Sequence, residues 1–434
     1  MSFTLREENF VVIDNGSYEI KAGMGVHDTN QPPSVVYQTS QIGTPLKCER
    51  INNWEELETL WYRLVSTLPS LHPRFPKKLF FSSFQYSRTI RRQILFKELP
   101  IKKTRNESPV LLSVPTSWTK EEYERITQIF FESFNVPGLY VAEQPLMSLY
   151  GCGSVSGVVI DIGHETTNVT SIVDSLIVYH SIQTLDVAGR EADEHLLAHL
   201  RADEQLRAEF GDDVDTLLDL EFARFVKEAP GVCDVSVGYE VEMATEESKE
   251  VVPGVAAVAA AAPPTTQVPV IPPMERAELE YNGRKVTIGS YRHSLYNPIF
   301  DPTLIGRTTL TGLAEAIKLS VMTCEPAEIR LRLWENLVVT GGGALIAGIK
   351  ERIKAELLPY LPVSDNAGDT QSRDIKFLRI PDYFTVLREP HFQRFSAWLG
   401  GEIVAKLVFP NPTNYISKVD YNESGPSVVH HKSY

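Results

Sequence analysis

The stretch VVIDIGHETTNVT (158–170) runs a β-branched strand into Asp161, sets Gly163 two residues later, and then places His164 and Glu165 at the tip. A glycine at that point lets backbone N–H groups approach a phosphate, as in a phosphate-binding hairpin. Glu165 works against that chemistry. A carboxylate ~4 Å from a phosphate charge costs about 4 kcal/mol at an effective dielectric of ~20, which is roughly a thousandfold in affinity. Turned outward or protonated, Glu165 would cost less. The residues thus pose two alternatives, a working ATPase or the retained shell of one.

The strand leading into this tip occurs twice. VVIDNGS (11–17) and VVIDIGH (158–164) share V-V-I-D-x-Gly. Two copies so far apart imply two related halves and not a solenoid. Val169, Ser171 and Val173 alternate after the second copy, which predicts a hairpin. A third strand, LVVTGGGALIAGI (337–349), ends in glycines and enters the helical pattern IKERIKAEL. Further helices are expected within 52–68, 119–134 and 189–203, with Ile126, Ile129 and Phe130 keeping helical spacing in the second of these. Strands and helices alternate in each half, so α/β layers are the natural architecture.

Composition narrows the function classes. Hydrophobic residues make up 43% of the 434 and charged residues 23%, enough for two domains with a sizeable core. The net charge of −14 argues against a general nucleic-acid-binding surface. Cys48, Cys152, Cys233 and Cys324 are scattered, with no C-x-x-C, which argues against a disulfide framework or zinc site and for a reducing compartment. MSFTLREENF carries no apolar signal core. The apolar run VVPGVAAVAAAA (251–262) is shorter than the ~20 residues of a membrane span. A soluble, intracellular protein is expected. The Ala/Pro-rich stretch 246–276 buries too little to offset its ordering entropy and is expected to be a disordered insertion. The basic stretch 72–106 is expected to be a surface elaboration or a plain solvated loop.

Longer motifs carry a family resemblance. FSAWLGGEIVAKL (395–407) and ISKVDYNESGPSVVHHKSY (416–434) resemble the actin C-terminus nearly residue for residue. FFESFNVPGLYVAEQPLMSLYGCGSVSGVVIDIG (130–163), YEVEMATEES and VTIGSYRHSLYNPIFDPTLIG are similar to actin's central and third quarters. The chain is identified as a member of the actin superfamily. The resemblance implies an α/β, actin-like fold, shared with heat-shock chaperones and sugar kinases, in which two related domains close around a nucleotide cleft. The expected domains are residues 1–157, completed by 390–434, and residues 158–389. Only residues 35–52 lie between Ser34 and the Asn53–Trp54 pair, so most of the small subdomain and gripping loop found there in actin is absent.

The same resemblance implies ATP, with Mg²⁺ if bound, as the cleft ligand. Asp14, Gly16, Ser17 and Lys21 match the first hairpin: Gly16 and Ser17 would offer N–H groups, Lys21 would neutralise charge, and Asp14 would hold the metal's water shell. Gln144 matches the residue that positions the attacking water, and Asp161 and Gly163 match in the second hairpin. Gly341 and Gly342 fit the adenosine loop, Gly189 the ribose side, Lys227 and Glu228 the base pocket, and Arg394 stands where actin has lysine. Tyr18, His164, Glu165 and Asn168 depart from the pattern at positions that organise phosphate, metal and water. No hydrolysis is therefore expected.

Together with FLRIPDYFTVLREPHFQRF (377–395), these departures resemble the actin-related subunits of SWI/SNF- and RSC-type chromatin remodelling complexes. That implies a nuclear protein that binds an amphipathic helix of the motor ATPase subunit beside a second actin-related protein or actin. It implies no homopolymer, no direct specific nucleic acid binding and no membrane. The partner groove would be lined by Tyr150, Ile403, Val404 and Leu407, of which Ile403 and Leu407 share a helix face; internal core is the plainer alternative for that face. The pointed-end actin-related subunit of dynactin and a conventional actin-like ATPase are the other readings.

Overall fold

The structure, a computed structural model, describes residues 10–25, 32–39, 46–47, 50–64, 108–211, 214–235, 276–361, 374–382, 387 and 390–432. The basic stretch 72–106, and all of 246–276 except Arg276, lie outside the described residues. The chain forms two compact units. Unit 1 comprises Met1–Arg190, Thr308–Leu345 and Glu356–Tyr434; unit 2 comprises Glu191–Arg307 and Ile346–Ala355.

Unit 1 holds both repeated strands, each in the same local setting. β1 (Val11–Asn15) is buried along its whole length, the pattern of a central strand covered on both faces. It pairs antiparallel with β2 (Glu19–Met24) and parallel with β6 (Val110–Val114). β3 (Val35–Gln38), β7 (Gly138–Glu143) and β15 (Ile416–Ser417) complete the order β15-β7-β6-β1-β2-β3. A short pair, β4 (Leu46–Lys47) and β5 (Arg50–Ile51), lies outside that sheet. In the second sheet, β8 (Gly157–Ile162) pairs antiparallel with β9 (Thr167–Val173) and parallel with β14 (Leu337–Thr340). β10 (Leu176–Ile177) and β11 (Gln183–Leu185) both pair with β9.

The alternation of strand faces sorts the core. Val11 and Ile13 pack with Leu57, Trp61, Leu112 and Phe130, whereas Val12 packs with Leu111 on the other side. The latter cluster also takes in Val159, Ile172 and Val338 from the second sheet, so both sheets share one core. That is why the compact units cut the chain differently from the two repeat-based halves. α1 (Trp54–Leu64) and α2 (Lys120–Gln128) cover the first cluster. α2 starts at a capping box of Thr119 and Glu122, which satisfies two N-terminal donors. Its periodic face continues through a single wide turn, Ile129–Ser133.

Unit 2 contains most of α4 (Gly189–Ala202), α5 (Leu220–Glu228) and the β12 (Ala277–Tyr281)–β13 (Arg284–Ile288) hairpin. On α4, His195 and His199 lie one turn apart with ring centroids at 4.7 Å, and His199 stacks on Tyr291. Burial, then the neighbouring His199, pushes His195 down to about 4, and burial lowers His199 as well. The unfolded chain takes up these protons near pH ~6.5, and the folded chain only at lower pH, so stability must fall as pH drops through that window. Asp161, raised to about 6, acts in the opposite sense there. The comparison that isolates the pair is thermal melting of wild type against His195→Gln/His199→Gln. Between pH 7 and pH 4.5 the wild type should lose about 1–2 kcal/mol more than the variant, after solvent screening of half-buried rings. Parallel curves would contradict the assignment.

Among the described residues no helix is long and apolar enough to cross a membrane. Nor do they hold a group of three or more His, Cys, Asp or Glu placed to bind a metal ion.

Candidate functional site

The antiparallel register of β1 and β2 places Asp14 opposite Lys21, and the parallel register of β1 and β6 places it beside Ser113. Asp14 is 1% exposed. Its Oδ2 accepts from Lys21 Nζ at 3.1 Å and its Oδ1 from Gln144 Nε2 at 2.8 Å. The same Gln144 nitrogen reaches the Asn15 carbonyl at 2.6 Å, while Asn15 Oδ1 accepts from Trp61 Nε1 at 2.7 Å. Burial pulls the Lys21 ammonium down, but the Asp14 charge and hydrogen bond outweigh it, with Glu19 and Asp161 adding to them, so its pKa ends above the ordinary lysine value. Nothing in the sequence pattern singles out Trp61 and Asn15, although a buried tryptophan N–H usually calls for an acceptor.

Asp161 belongs to the second hairpin, opposite Asn168 on β9 and beside Thr340 on β14. Burial pushes its carboxyl up to about 6; Lys21 pulls it down and Asp14 adds to the rise. Asp161, Gln144, Asn168, Thr116 and Thr170 line a cavity of ≈ 10 Å³, near the least room that one water needs. Thr170 Oγ1 is buried there with no protein partner. Asn168 turns its Oδ1 to Thr184 at 2.8 Å.

Both tips close in the same way. Gly16 N–H donates to Glu19 O at 3.1 Å and Gly163 N–H to Thr166 O at 3.0 Å. Ser17 follows Gly16, with its carbonyl held by the Thr39 hydroxyl at 2.5 Å. Gly189 N–H donates to Gly163 O at 3.1 Å, tying the second tip to the start of α4. Gly341 sits at φ +86°, where a Cβ would lie 2.3 Å from Asp161 Oδ1, so only glycine lets this turn pack on the second hairpin. Gly342 follows in the short 3₁₀ turn Gly342–Leu345.

The charges at the tips are paired within the chain. Lys21 meets Asp14; Glu165 meets Arg190 at 4.0 Å; Arg394 meets Glu19 at 3.4 Å and lies over the Phe395 ring. Tyr18 and His164, from different tips, are in ring contact. In unit 2, Lys227 and Arg224 both bind the buried Asp193, and Glu228, at the end of α5, is exposed. Asp14, Gly16, Ser17, Lys21, Gln144, Asp161, Gly163, Gly189, Gly341, Gly342 and Arg394 all lie in unit 1; Lys227 and Glu228 belong to unit 2.

The four groove residues separate by depth. After α6 (Leu313–Met322) and α7 (Ala327–Trp334) comes α8 (Ser396–Val408), on which α3 (Gln144–Gly151) packs closely. Val404, at 9% exposure, is part of the core on which the half-buried Tyr150 and Ile403 rest. Leu407 is 71% exposed.

An α/β unit with two sheets, a repeated strand within each and an Asp-x-Gly tip on both, defines a double-hairpin fold. The family model described as Actin matches residues 5–434. The chain belongs to the actin family, and its fold is the actin-like one.

Proposed function

We propose that this chain is a non-catalytic actin-related subunit of a SWI/SNF- or RSC-type chromatin remodelling complex. It binds an amphipathic helix of the motor ATPase subunit, beside a second actin-like subunit, and works in the nucleus. The observation that carries the reading is the pairing of Lys21, Arg190 and Arg394 with Asp14, Glu165 and Glu19 at the hairpin tips. An incoming triphosphate would have to break these pairs, and Glu165 adds like charge beside it. The cavity beside Gln144 and Asp161 has room for a water. The residues present therefore do not suit MgATP, and the protein acts by its surface.

Affinity capture of the tagged chain tests the partner. Recovery of a remodeller's motor ATPase with a second actin-like subunit is expected; recovery of the pointed-end dynactin complex would put the alternative in its place. The purified chain should show no ATP hydrolysis above background. Turnover as fast as monomeric actin, lost on Gln144→Ala, would overturn the non-catalytic part.

A further inference from the structure

Tyr18 and His164 stand at the tips of different hairpins, yet their ring centroids are 4.5 Å apart, with planes tilted by 38°. Both backbones are anchored. The Tyr18 carbonyl accepts from the Thr39 N–H at 2.9 Å, and the His164 carbonyl from the Arg190 N–H at 2.8 Å. Rings carried on fixed backbone give up little further freedom when they meet, so the contact is preorganised. Both side chains are half-buried.

We propose that the Tyr18–His164 ring pair is an internal clasp, which takes the place of a phosphate group between the two hairpin tips and holds the hairpins together without a ligand. This rests on the reading that the cleft does not turn over ATP. An oxyanion shared by the two tips would need to sit about 2.9 Å from an N–H on each. On this proposal the two rings fill the position between the tips that such an oxyanion would take. The ring pair also joins the tips without adding formal charge, which suits a site whose cations Lys21, Arg190 and Arg394 are each already paired with a carboxylate. Sequence pattern could have raised the question, because both glycine tips carry a bulky residue within two positions of the glycine.

The test is a double-mutant cycle on the full chain, read by thermal melting with and without MgATP. Tyr18→Leu and His164→Gln should each lower the melting temperature by about 2–4 °C. The double variant should fall little further than the worse single, because either change already removes the contact. Tyr18→Phe, which keeps the ring, should melt within about 1 °C of wild type. Additive losses, or a Tyr18→Phe variant as weak as Tyr18→Leu, would overturn the clasp and leave the non-catalytic reading untouched. With about 1 mM MgATP the wild type should not shift. A wild type that rises with MgATP overturns both the clasp and the reading beneath it.

Discussion

Gly400→Ala should lower the melting temperature by about 2–5 °C, although alanine is the better helix former. α3 and α8 cross backbone to backbone, with a glycine from each at the contact. A Cβ on Gly400 would lie 1.8 Å from the Met147 carbonyl oxygen, and one on Gly151 would lie 2.1 Å from that of Ser396. Backbone atoms cannot swing aside, so the helices must separate. They are flanked by Met147, Leu149, Trp398 and Leu399, all nearly fully buried in the core that both sheets share. Forcing such a core apart costs about 3 kcal/mol, the upper end of the usual range, against a gain of about 1 kcal/mol from helix propensity. The neighbouring Gly401→Ala is the control. Its Cβ would meet the side chains of Val12 and Leu111, at 2.9 and 3.1 Å, and no backbone atom. It should lose less than half as much as Gly400→Ala, since side chains give way more readily than backbone. Melting curves followed by circular dichroism decide the matter, and a Gly400→Ala protein as stable as wild type would remove the close crossing as the reason for the glycine.

That glycine pair also marks where the sequence was readable and where it was not. The strand–Asp–x–Gly pattern was legible because strand pairing and turn geometry are local: register alone puts Lys21 opposite Asp14 and Asn168 opposite Asp161. The glycine turn at Gly341 was legible for the same reason. In WLGGEIVAKL, propensity argues against a helix; the approach of α3 explains Gly400, and the close packing of Val12 and Leu111 explains Gly401. The grouping of both hairpins in unit 1 was likewise hidden, because it depends on Val159, Ile172 and Val338 joining the core of Val12 and Leu111. In the sequence Tyr18 and His164 stand out only as departures from the family pattern. Their contact joins positions far apart in the chain, so no local pattern could show it. The same holds for the charge pairs Glu19–Arg394 and Asp193–Lys227. Helical spacing did better at the end of α8, where Ile403 and Leu407 share a face and Val404, about a quarter turn away, turns into the core.

Leu407→Asp should abolish binding of the motor subunit's helix while leaving the fold intact. Leu407 is 71% exposed near the end of α8, so the free protein gains nothing from burying it, and a carboxylate there should change stability by less than about 0.5 kcal/mol. Ile403, one turn earlier, and Tyr150 on α3 are half-buried against the core, so the three side chains present apolar surface on rigid helices. A partner helix read through apolar anchors at i, i+3 and i+4 needs such a surface. Covering a leucine in an interface contributes about 1.5–3 kcal/mol, and a desolvated, unpaired carboxylate adds a penalty of its own. The combined loss, above about 3 kcal/mol, is a hundredfold or more in Kd. Ile403→Asp should weaken binding as strongly but also lower stability, because part of that side chain rests on the core. Val404→Asp should unfold the protein outright, because it puts a charge into that core. The graded series separates an interface from a buried face: binding measured by anisotropy with the labelled helix, folding by circular dichroism. A folded Leu407→Asp protein that binds the helix as wild type does would place the partner surface elsewhere on the molecule.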